Sequence, residues 1–203
     1  MSPSCRRTEI YLVRHAEVHN PRDIAYGRLP RFRLSARGRT QAERTAIFLS
    51  ARPLSAIYTS PLLRARQTAA IISQYHPSAP VRQSRLLLEV FTGYEGSPNT
   101  IYTPGFSFYE PLARPGDETM EDVFRRMDAL VRRILRLHAG RSVAVVSHAD
   151  PIAIARVGLE DRPLTVANLH ATVYPYRASV THVILDADEL PRLAYFNPAE
   201  SEA

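Results

Sequence analysis

The sequence contains no lysine, and this absence removes several classes of enzyme. All of its 26 basic residues are arginines. A Schiff-base nucleophile, a phosphate-binding P-loop and an anchor for pyridoxal phosphate all require a lysine amine. Functions built on that amine are therefore excluded.

Cysteine and long apolar runs are also scarce. Cys5 is the single cysteine, so an intramolecular disulfide and a zinc site built from several cysteines are both excluded. The apolar run at residues 143–146 is much too short to cross a bilayer. The run at residues 10–13 is too short for the core of a signal peptide. We therefore expect a cytoplasmic protein with no membrane partner.

The remaining composition is typical of one globular domain that spans residues 1–203. Of these 203 residues, 45% are hydrophobic and 23% are charged. The net charge of +6 is consistent with a nucleic-acid partner, an anionic substrate or a compositional bias towards arginine. Because the arginines are spread along the chain, we favour the bias and expect no nucleic-acid partner.

Strand and helix patterns alternate along the chain. Short apolar runs bounded by turn residues predict strands, and apolar positions that recur every three to four residues predict helices. This alternation is typical of a single α/β domain, in which helices cover both faces of a mainly parallel sheet. The predicted strands lie at residues 9–13, 54–59, within 77–88, 142–146, 180–185 and 193–196, and the predicted helices at 35–51, 62–75, 119–138 and 150–158.

Capping residues predict where three of these helices begin, with Ser35 as the N-cap of the first, and where one ends. Ser60 with Pro61, and Asp150 with Pro151, each have the sequence of an N-cap followed by a proline at the first helical position. Gly158 is suited to ending the helix that starts at Asp150.

Residues 90–118 have no regular period and are rich in glycine and proline, which is typical of a long loop or lid. Five aromatic residues lie within this segment. They allow two interpretations. The segment is a lid whose rings stack on the leaving group of a substrate, or a loop whose rings pack it onto the body of the domain. These residues are Tyr94, Tyr102, Phe106, Phe108 and Tyr109.

Four polar residues are predicted at one edge of the sheet. Arg14 and His15 follow the first strand, His148 follows the strand at 142–146, and Arg64 lies in the first turn of a helix. In open α/β sheets, ligands bind beyond the carboxyl ends of the strands. Guanidinium groups match the geometry of phosphate oxygens, and a helix N-terminus favours the same anion.

Five segments in this order resemble the histidine phosphatase superfamily, to which the cofactor-dependent phosphoglycerate mutases belong. Together they lie within residues 10–158, which is most of the chain. The resemblance implies a phosphoglycerate mutase-like fold. The segments are Leu12–Glu17, Leu34–Ala42, Ser60–Ala69, Leu88–Gly96 and Val145–His148.

The resemblance assigns a role to each residue at the predicted site. His15 matches the nucleophile that forms a phosphohistidine, and Arg14, Arg64 and His148 match the clamp for the phosphate. Glu89 matches the proton donor to the leaving oxygen, which later activates water. Neighbouring guanidinium groups would keep the imidazole neutral and stabilise phosphoryl charge. No metal and no cofactor are expected.

Further residues match positions that contact substrate in the family. They are Asn20, Tyr26, Gly27, Arg28 and Ala149, although the family's asparagine stands one position later than Asn20.

The sequence departs from the family pattern near both histidines. Ala16 replaces the usual glycine after the first histidine, and Ala149 with Asp150 replaces the usual glycine pair after the second. These changes keep the backbone donors.

The role of proton donor to the leaving oxygen could also belong to Glu17 or Glu95 instead of Glu89.

A zinc site at His15 and His19 is disfavoured, because both histidines follow a strand in a loop that contains proline and no His-Glu-x-x-His motif is present.

We therefore expect a metal-independent phosphomonoesterase that acts on a small phosphorylated metabolite. The chain is shorter than typical cofactor-dependent mutases, which favours a phosphatase. Two alternatives stay open: a cofactor-dependent phosphoglycerate mutase, and a protein of the same fold that binds a phosphorylated ligand without catalysis. The sequence predicts neither the substrate nor the oligomeric state.

Overall fold

A six-stranded sheet forms the centre of the protein. The computed structural model describes residues 7–186 and 189–200, so Cys5 lies outside the described part. The strands are β1 (Thr8–Arg14), β2 (Leu54–Thr59), β3 (Val81–Gln83), β4 (Ser142–Ser147), β5 (Val180–Leu185) and β6 (Arg192–Phe196).

The strand order is β3-β2-β4-β1-β5-β6. The neighbours from β3 to β1 are parallel, whereas β5 pairs antiparallel with both β1 and β6. The structure confirms the predicted single-domain α/β fold with a mainly parallel sheet.

Helices pack on both faces of this sheet. They are α1 (Ala36–Ser50), α2 (Leu63–Gln74), α3 (Met120–Leu137), α4 (Ala149–Leu159) and the short α5 (Val166–Ala171).

The alternation of side chains in β1 shows how two cores form. Ile10 and Leu12 pack with residues of α3 and α4, whereas Tyr11 and Val13 pack with residues of α1 and α2 on the opposite face. All four are at most 2% exposed. Because successive strand residues point to opposite faces, one continuous apolar run fills both cores. Burying each large aliphatic side chain contributes about 1.5–3 kcal/mol.

The predicted helix starts at Ser60 and Asp150 are wrong. Leu62 is the N-cap of α2, without a side-chain capping bond. His148 is the N-cap of α4, and Asp150 lies inside its first turn. Both predicted caps bind other side chains in the candidate site, and these contacts compete with capping.

Gly158 does not end α4, which continues to Leu159. A Cβ atom at Gly158 would lie 2.2 Å from Cε2 of Phe124. The glycine therefore permits close packing of α4 against α3. The sequence analysis also missed α5, whose six residues are too few to show a helical period.

The segment at 90–118 contains one 3-10 turn, Asn99–Ile101. Its aromatic rings contact one another: the ring centroids of Phe106 and Phe108 lie 5.1 Å apart, and those of Tyr102 and Phe106 lie 5.5 Å apart. Phe108 and Tyr109 also pack with residues of α3 and α4, which fits the interpretation that the rings pack the loop onto the body of the domain. Movement of the segment as a lid stays a prediction.

Within the described part of the chain, the helices are either too short or too polar to cross a membrane.

Candidate active site

The carboxyl ends of the two central strands bring two histidines together. Arg14 pairs with Ser147 at the ends of β1 and β4. The next residues stay in register, since the His15 backbone N–H donates to the Ser147 carbonyl at 2.9 Å. The imidazole rings of His15 and His148 consequently lie with their centroids 5.1 Å apart.

Two hydrogen bonds define the tautomer of His15, which is only 2% exposed. Nδ1 lies 2.8 Å from the carbonyl oxygen of Ala16, an acceptor, so Nδ1 carries the proton. Nε2 therefore presents a lone pair, which accepts a hydrogen bond from Nε of Arg64 at 3.1 Å. Burial, Arg64 and Arg14 together hold the pKa of His15 well below its usual value. The ring is thus neutral, as a nucleophile requires.

Arg64 is held rigidly beneath this site, with 1% of its surface exposed. Its Nη2 donates to the carbonyl of Gly27 at 2.6 Å, and its guanidinium lies 4.7 Å from the ring centroid of Tyr26. These contacts orient the guanidinium before any ligand arrives.

Arg14 supplies a second guanidinium. Its Nη1 donates to the Pro175 carbonyl at 2.8 Å. Its buried Nε has no hydrogen-bond partner within residues 7–186 and 189–200. An unpaired buried donor costs stability unless a ligand satisfies it, so this group is suited to an anion.

His148 is fully buried and also has a free ring nitrogen. Its Nε2 lies 2.9 Å from Oγ of Ser60, the residue that the sequence analysis assigned to a helix cap. Its Nδ1 has no hydrogen-bond partner in the described chain and lies 3.8 Å from Oε2 of Glu89. Burial, Arg64 and His15 hold the pKa of His148 well below the usual value.

Glu89 stands opposite His148, with its side chain 19% exposed. Burial raises the pKa of Glu89 to about 7, the Asp150 carboxylate adds to the rise, and Arg64 opposes it. Arg28 donates through Nε to the Glu89 carbonyl at 2.6 Å and fixes the backbone there. A carboxyl whose pKa is raised towards neutral pH suits both acid and base roles.

Asp150 lies beside this pair, and two tyrosines hold its carboxylate. It accepts hydrogen bonds from the Tyr109 hydroxyl at 2.7 Å and from the Tyr174 hydroxyl. Asp150 is only 6% exposed. The tyrosines tie the 90–118 segment and the chain before β5 to the start of α4.

A cavity of about 500 Å³ is lined by Arg14, Glu89 and Asp150, whereas the buried His15, Arg64 and His148 do not belong to its lining. Four of the five predicted substrate contacts line it, namely Asn20, Tyr26, Gly27 and Ala149. Ala149 begins α4, where backbone N–H groups lack acceptors within the helix. The side-chain amide of Asn20 already donates to the Ile24 carbonyl at 2.9 Å.

The fifth predicted contact, Arg28, does not belong to the cavity lining. Its Nη2 lies 2.8 Å from Oε2 of Glu118, and this ion pair turns the guanidinium away from the cavity. The structure places Arg28 behind Glu89, where it supports the loop.

Comparisons with known proteins agree with this geometry. The model of the histidine phosphatase superfamily (branch 1) matches residues 10–197. The chain belongs to the histidine phosphatase superfamily. The resemblance inferred from the five segments is thereby confirmed.

Individual proteins are similar to this chain over most of its length. The protein Rv0525 of Mycobacterium tuberculosis is 36% identical over 95% of this chain and 97% of its own length. Phosphoserine phosphatase 1 of Hydrogenobacter thermophilus is 31% identical over 71% of this chain and 72% of its own length. The solved structure of mycobacterial glucosyl-3-phosphoglycerate phosphatase Rv2419c is 26% identical, with a TM-score of 0.79 over 95% of this chain and 99% of that one. Both the sequence relatives and the similar solved structures therefore include proteins named as phosphatases.

The other acidic candidates for this superfamily site are already engaged. Oε1 of Glu17 accepts from the Ser35 hydroxyl at 2.7 Å, and its Oε2 lies 3.2 Å from Nη1 of Arg177. Oε1 of Glu95 accepts from the backbone N–H of Arg28. Across residues 7–186 and 189–200, His, Cys, Asp and Glu side chains form no cluster of three or more that could hold a metal ion.

The sequence analysis missed Tyr174 and Arg177, which also line the cavity. Both precede β5, and the antiparallel pairing of Val180 with Val13 brings the start of β5 to the end of β1. The direction of β5 is the signal that could have found them. An antiparallel strand begins at the edge where its parallel neighbours end.

Proposed function

We propose that this protein is a metal-independent phosphomonoesterase that hydrolyses a small phosphorylated metabolite through a phosphohistidine at His15. The observation that carries the proposal is the neutral, Nδ1-protonated imidazole of His15, whose Nε2 faces a guanidinium. The Nε2 lone pair can attack phosphorus, and the adjacent Arg64 guanidinium can bind the anionic phosphoryl oxygens.

In the first step, Nε–H of Arg64 moves its hydrogen bond from Nε2 of His15 to a phosphoryl oxygen. The freed lone pair of Nε2 attacks phosphorus, and the bond from phosphorus to the ester oxygen breaks. The electron pair of that bond leaves with the oxygen, which takes the proton of Glu89. Arg14 and Arg64 balance the charge of the transferring phosphoryl oxygens. The Ser60 hydroxyl donates to Nε2 of His148, so that Nδ1–H of His148 donates to a phosphoryl oxygen.

In the second step, the Glu89 carboxylate removes a proton from water as the water oxygen attacks phosphorus. The bond from phosphorus to Nε2 breaks and its electron pair returns to the imidazole. Inorganic phosphate leaves, and Glu89 is protonated again. A pKa of about 7 for Glu89 supports both proton transfers near neutral pH.

The ligand in this proposal is a small phosphorylated molecule rather than a nucleic acid. A cavity of about 500 Å³ suits a metabolite. Asn20, Tyr26, Gly27 and Ala149 would contact the substrate from its walls. The relatives named as phosphatases support the reaction type, and cytoplasmic localisation belongs to the same proposal.

The test measures phosphate release from p-nitrophenyl phosphate and a panel of metabolites with EDTA present. We expect activity in the wild type and in His170→Ala, which alters an exposed histidine of α5, but none in His15→Ala. Activity retained by His15→Ala would show that another group is the nucleophile. Acid-labile phosphate on the wild type after rapid quenching would support the phosphohistidine.

The same assay separates the alternatives. Interconversion of monophosphoglycerates, stimulated by 2,3-bisphosphoglycerate, would identify a mutase instead. Binding of phosphorylated ligands without turnover of any substrate would identify a non-catalytic protein of this fold.

A further inference from the structure

The candidate cavity has the opposite charge balance to the chain as a whole. The chain carries a formal net charge of +6, yet carboxylates outnumber guanidinium groups on the cavity walls. Leaving Glu89 aside, the carboxylates are Glu17, Asp23, Glu95 and Asp150, and the guanidinium groups are Arg14 and Arg177.

Neither lining guanidinium is available for a second anionic group on the substrate. Arg177 pairs with Glu17 at 3.2 Å. Arg14 follows β1 directly before His15, at the end of the cavity that we assign to the phosphate. Its Nε and Nδ1 of His148 have no described hydrogen-bond partner, so both can donate to phosphate oxygens. Arg28, which follows the lining residue Gly27, forms an ion pair with Glu118. Among the described lining residues, Arg14 is therefore the one arginine without an ion pair, and the phosphate clamp uses it.

Asp23, Glu95 and Asp150 differ from Glu17 because no described guanidinium or imidazole forms an ion pair with them, and the two tyrosine hydroxyls already hold Asp150. Glu95 accepts a backbone N–H from Arg28, and Asp23 accepts from Nδ2 of Asn99 at 2.6 Å. Neutral donors of this kind leave most of the negative charge in place. Glu95 lies next to Gly27, whose carbonyl holds Arg64, so its charge lies close to the phosphate clamp.

Aromatic rings form the neighbouring part of the wall. Tyr102 and Phe108 line the cavity, and so does Tyr26, whose ring is already covered by the Arg64 guanidinium and by Phe32. The electron-rich faces of aromatic rings favour cations, as do carboxylates. The carboxylates and the aromatic rings therefore both favour a positive charge on a bound molecule.

We propose that the cavity selects phosphomonoesters by the charge of their alcohol part, with cationic amines favoured over neutral groups and neutral groups over carboxylates or second phosphates. Asp23 and Glu95 are the specificity-determining residues. This inference rests on the proposed phosphatase function and names the substrate class for that same site.

The test compares kcat/KM for three two-carbon phosphomonoesters that differ at one end: O-phosphoethanolamine, ethyl phosphate and phosphoglycolate. We expect the amine to exceed the carboxylate by about tenfold or more, since charges a few ångströms apart in a partly screened cavity interact this strongly. Raising the salt concentration to 0.5 M NaCl should reduce the ratio. This arm uses only the wild type.

Matched variants identify the groups responsible. Asp23→Asn and Glu95→Gln keep shape and one acceptor oxygen, and each should reduce the ratio of amine to carboxylate severalfold. Glu121→Gln removes an exposed carboxylate from α3 and should leave the ratio unchanged. Because intrinsic reactivity differences between the esters are the same in every variant, the change in the ratio reports the wall charge alone.

The outcomes separate this inference from the function beneath it. Phosphate release with equal or better use of phosphoglycolate would overturn the charge selection and leave the phosphatase intact. A ratio unaffected by salt and by both variants would do the same. If the wild type releases no phosphate from the three esters, from p-nitrophenyl phosphate or from the metabolite panel, the phosphatase proposal fails and the inference falls with it.

Discussion

Glu89→Gln should make the protein inactive on alkyl phosphates and, above neutral pH, more stable. The carboxyl of Glu89 is largely buried, and burial, with help from the Asp150 carboxylate, raises its pKa to about 7. Glutamine has nearly the same shape but no charge to desolvate. The variant therefore removes an unfavourable charge that the proposed chemistry requires.

The sign and size of the stability change follow from linkage. In the unfolded chain the pKa of Glu89 is 4.5, the ordinary value, and in the folded protein it is about 7. A raised folded pKa favours folding below pH 4.5, and this advantage is lost as the pH rises through 7. The shift corresponds to roughly 3 kcal/mol at about 1.4 kcal/mol per pKa unit. For a domain of this size, that is a Tm increase of about 6–12 °C for Glu89→Gln at pH 8.

The assay is thermal unfolding of the wild type and Glu89→Gln at pH 4.5 and at pH 8. We expect a small difference in Tm at pH 4.5 and a large one in favour of the variant at pH 8. All other titrating groups are shared, so the difference between the two proteins isolates this residue. An equal difference at both pH values would refute the reasoning, because a packing effect of the amide would not depend on pH.

Three further predictions concern other parts of the molecule. Asp150→Asn should lower the pKa of Glu89, so the fall of kcat for an alkyl phosphate at high pH should begin at lower pH; an unshifted pH profile would contradict this. Arg64→Lys should reduce kcat/KM about 100-fold or more, because an ammonium cannot replace the oriented guanidinium; circular dichroism would check that the variant is folded, and wild-type activity would count against the clamp. Gly158→Ala should destabilise the protein by about 1–3 kcal/mol through overpacking against Phe124, as measured by urea unfolding; unchanged stability would mean that α3 and α4 adjust freely.

The strands and long helices were predictable because their local patterns agree with the tertiary structure. The predicted range of β2, residues 54–59, matches the structure, and the amphipathic period of α3 places Val123, Met127 and Ile134 in the core. The sequence did not predict α5, because its six residues are too few to show a helical period. Local patterns alone do not determine strand direction, and only tertiary pairing makes β5 antiparallel.

The candidate site was predictable to the extent that its residues follow strand ends. His15 and His148 directly follow β1 and β4, and the parallel register of those strands brings them together. Ser60 and Asp150 were misassigned, because a residue that can cap a helix can also bind another side chain. Their partners, His148 for Ser60 and two tyrosines for Asp150, are distant in sequence, so no local rule could choose between these roles.

Asp150 shows how one departure from the family pattern reorganises the site. A glycine at this position would offer backbone donors and nothing else, whereas the carboxylate recruits the hydroxyls of Tyr109 and Tyr174. A buried carboxylate requires such donors to compensate for lost hydration. The charge that remains also raises the pKa of Glu89. The same residue therefore tethers two loops to α4 and helps to keep the proposed acid protonated, so a substitution at either tyrosine should disturb both the loops and the pH dependence of turnover.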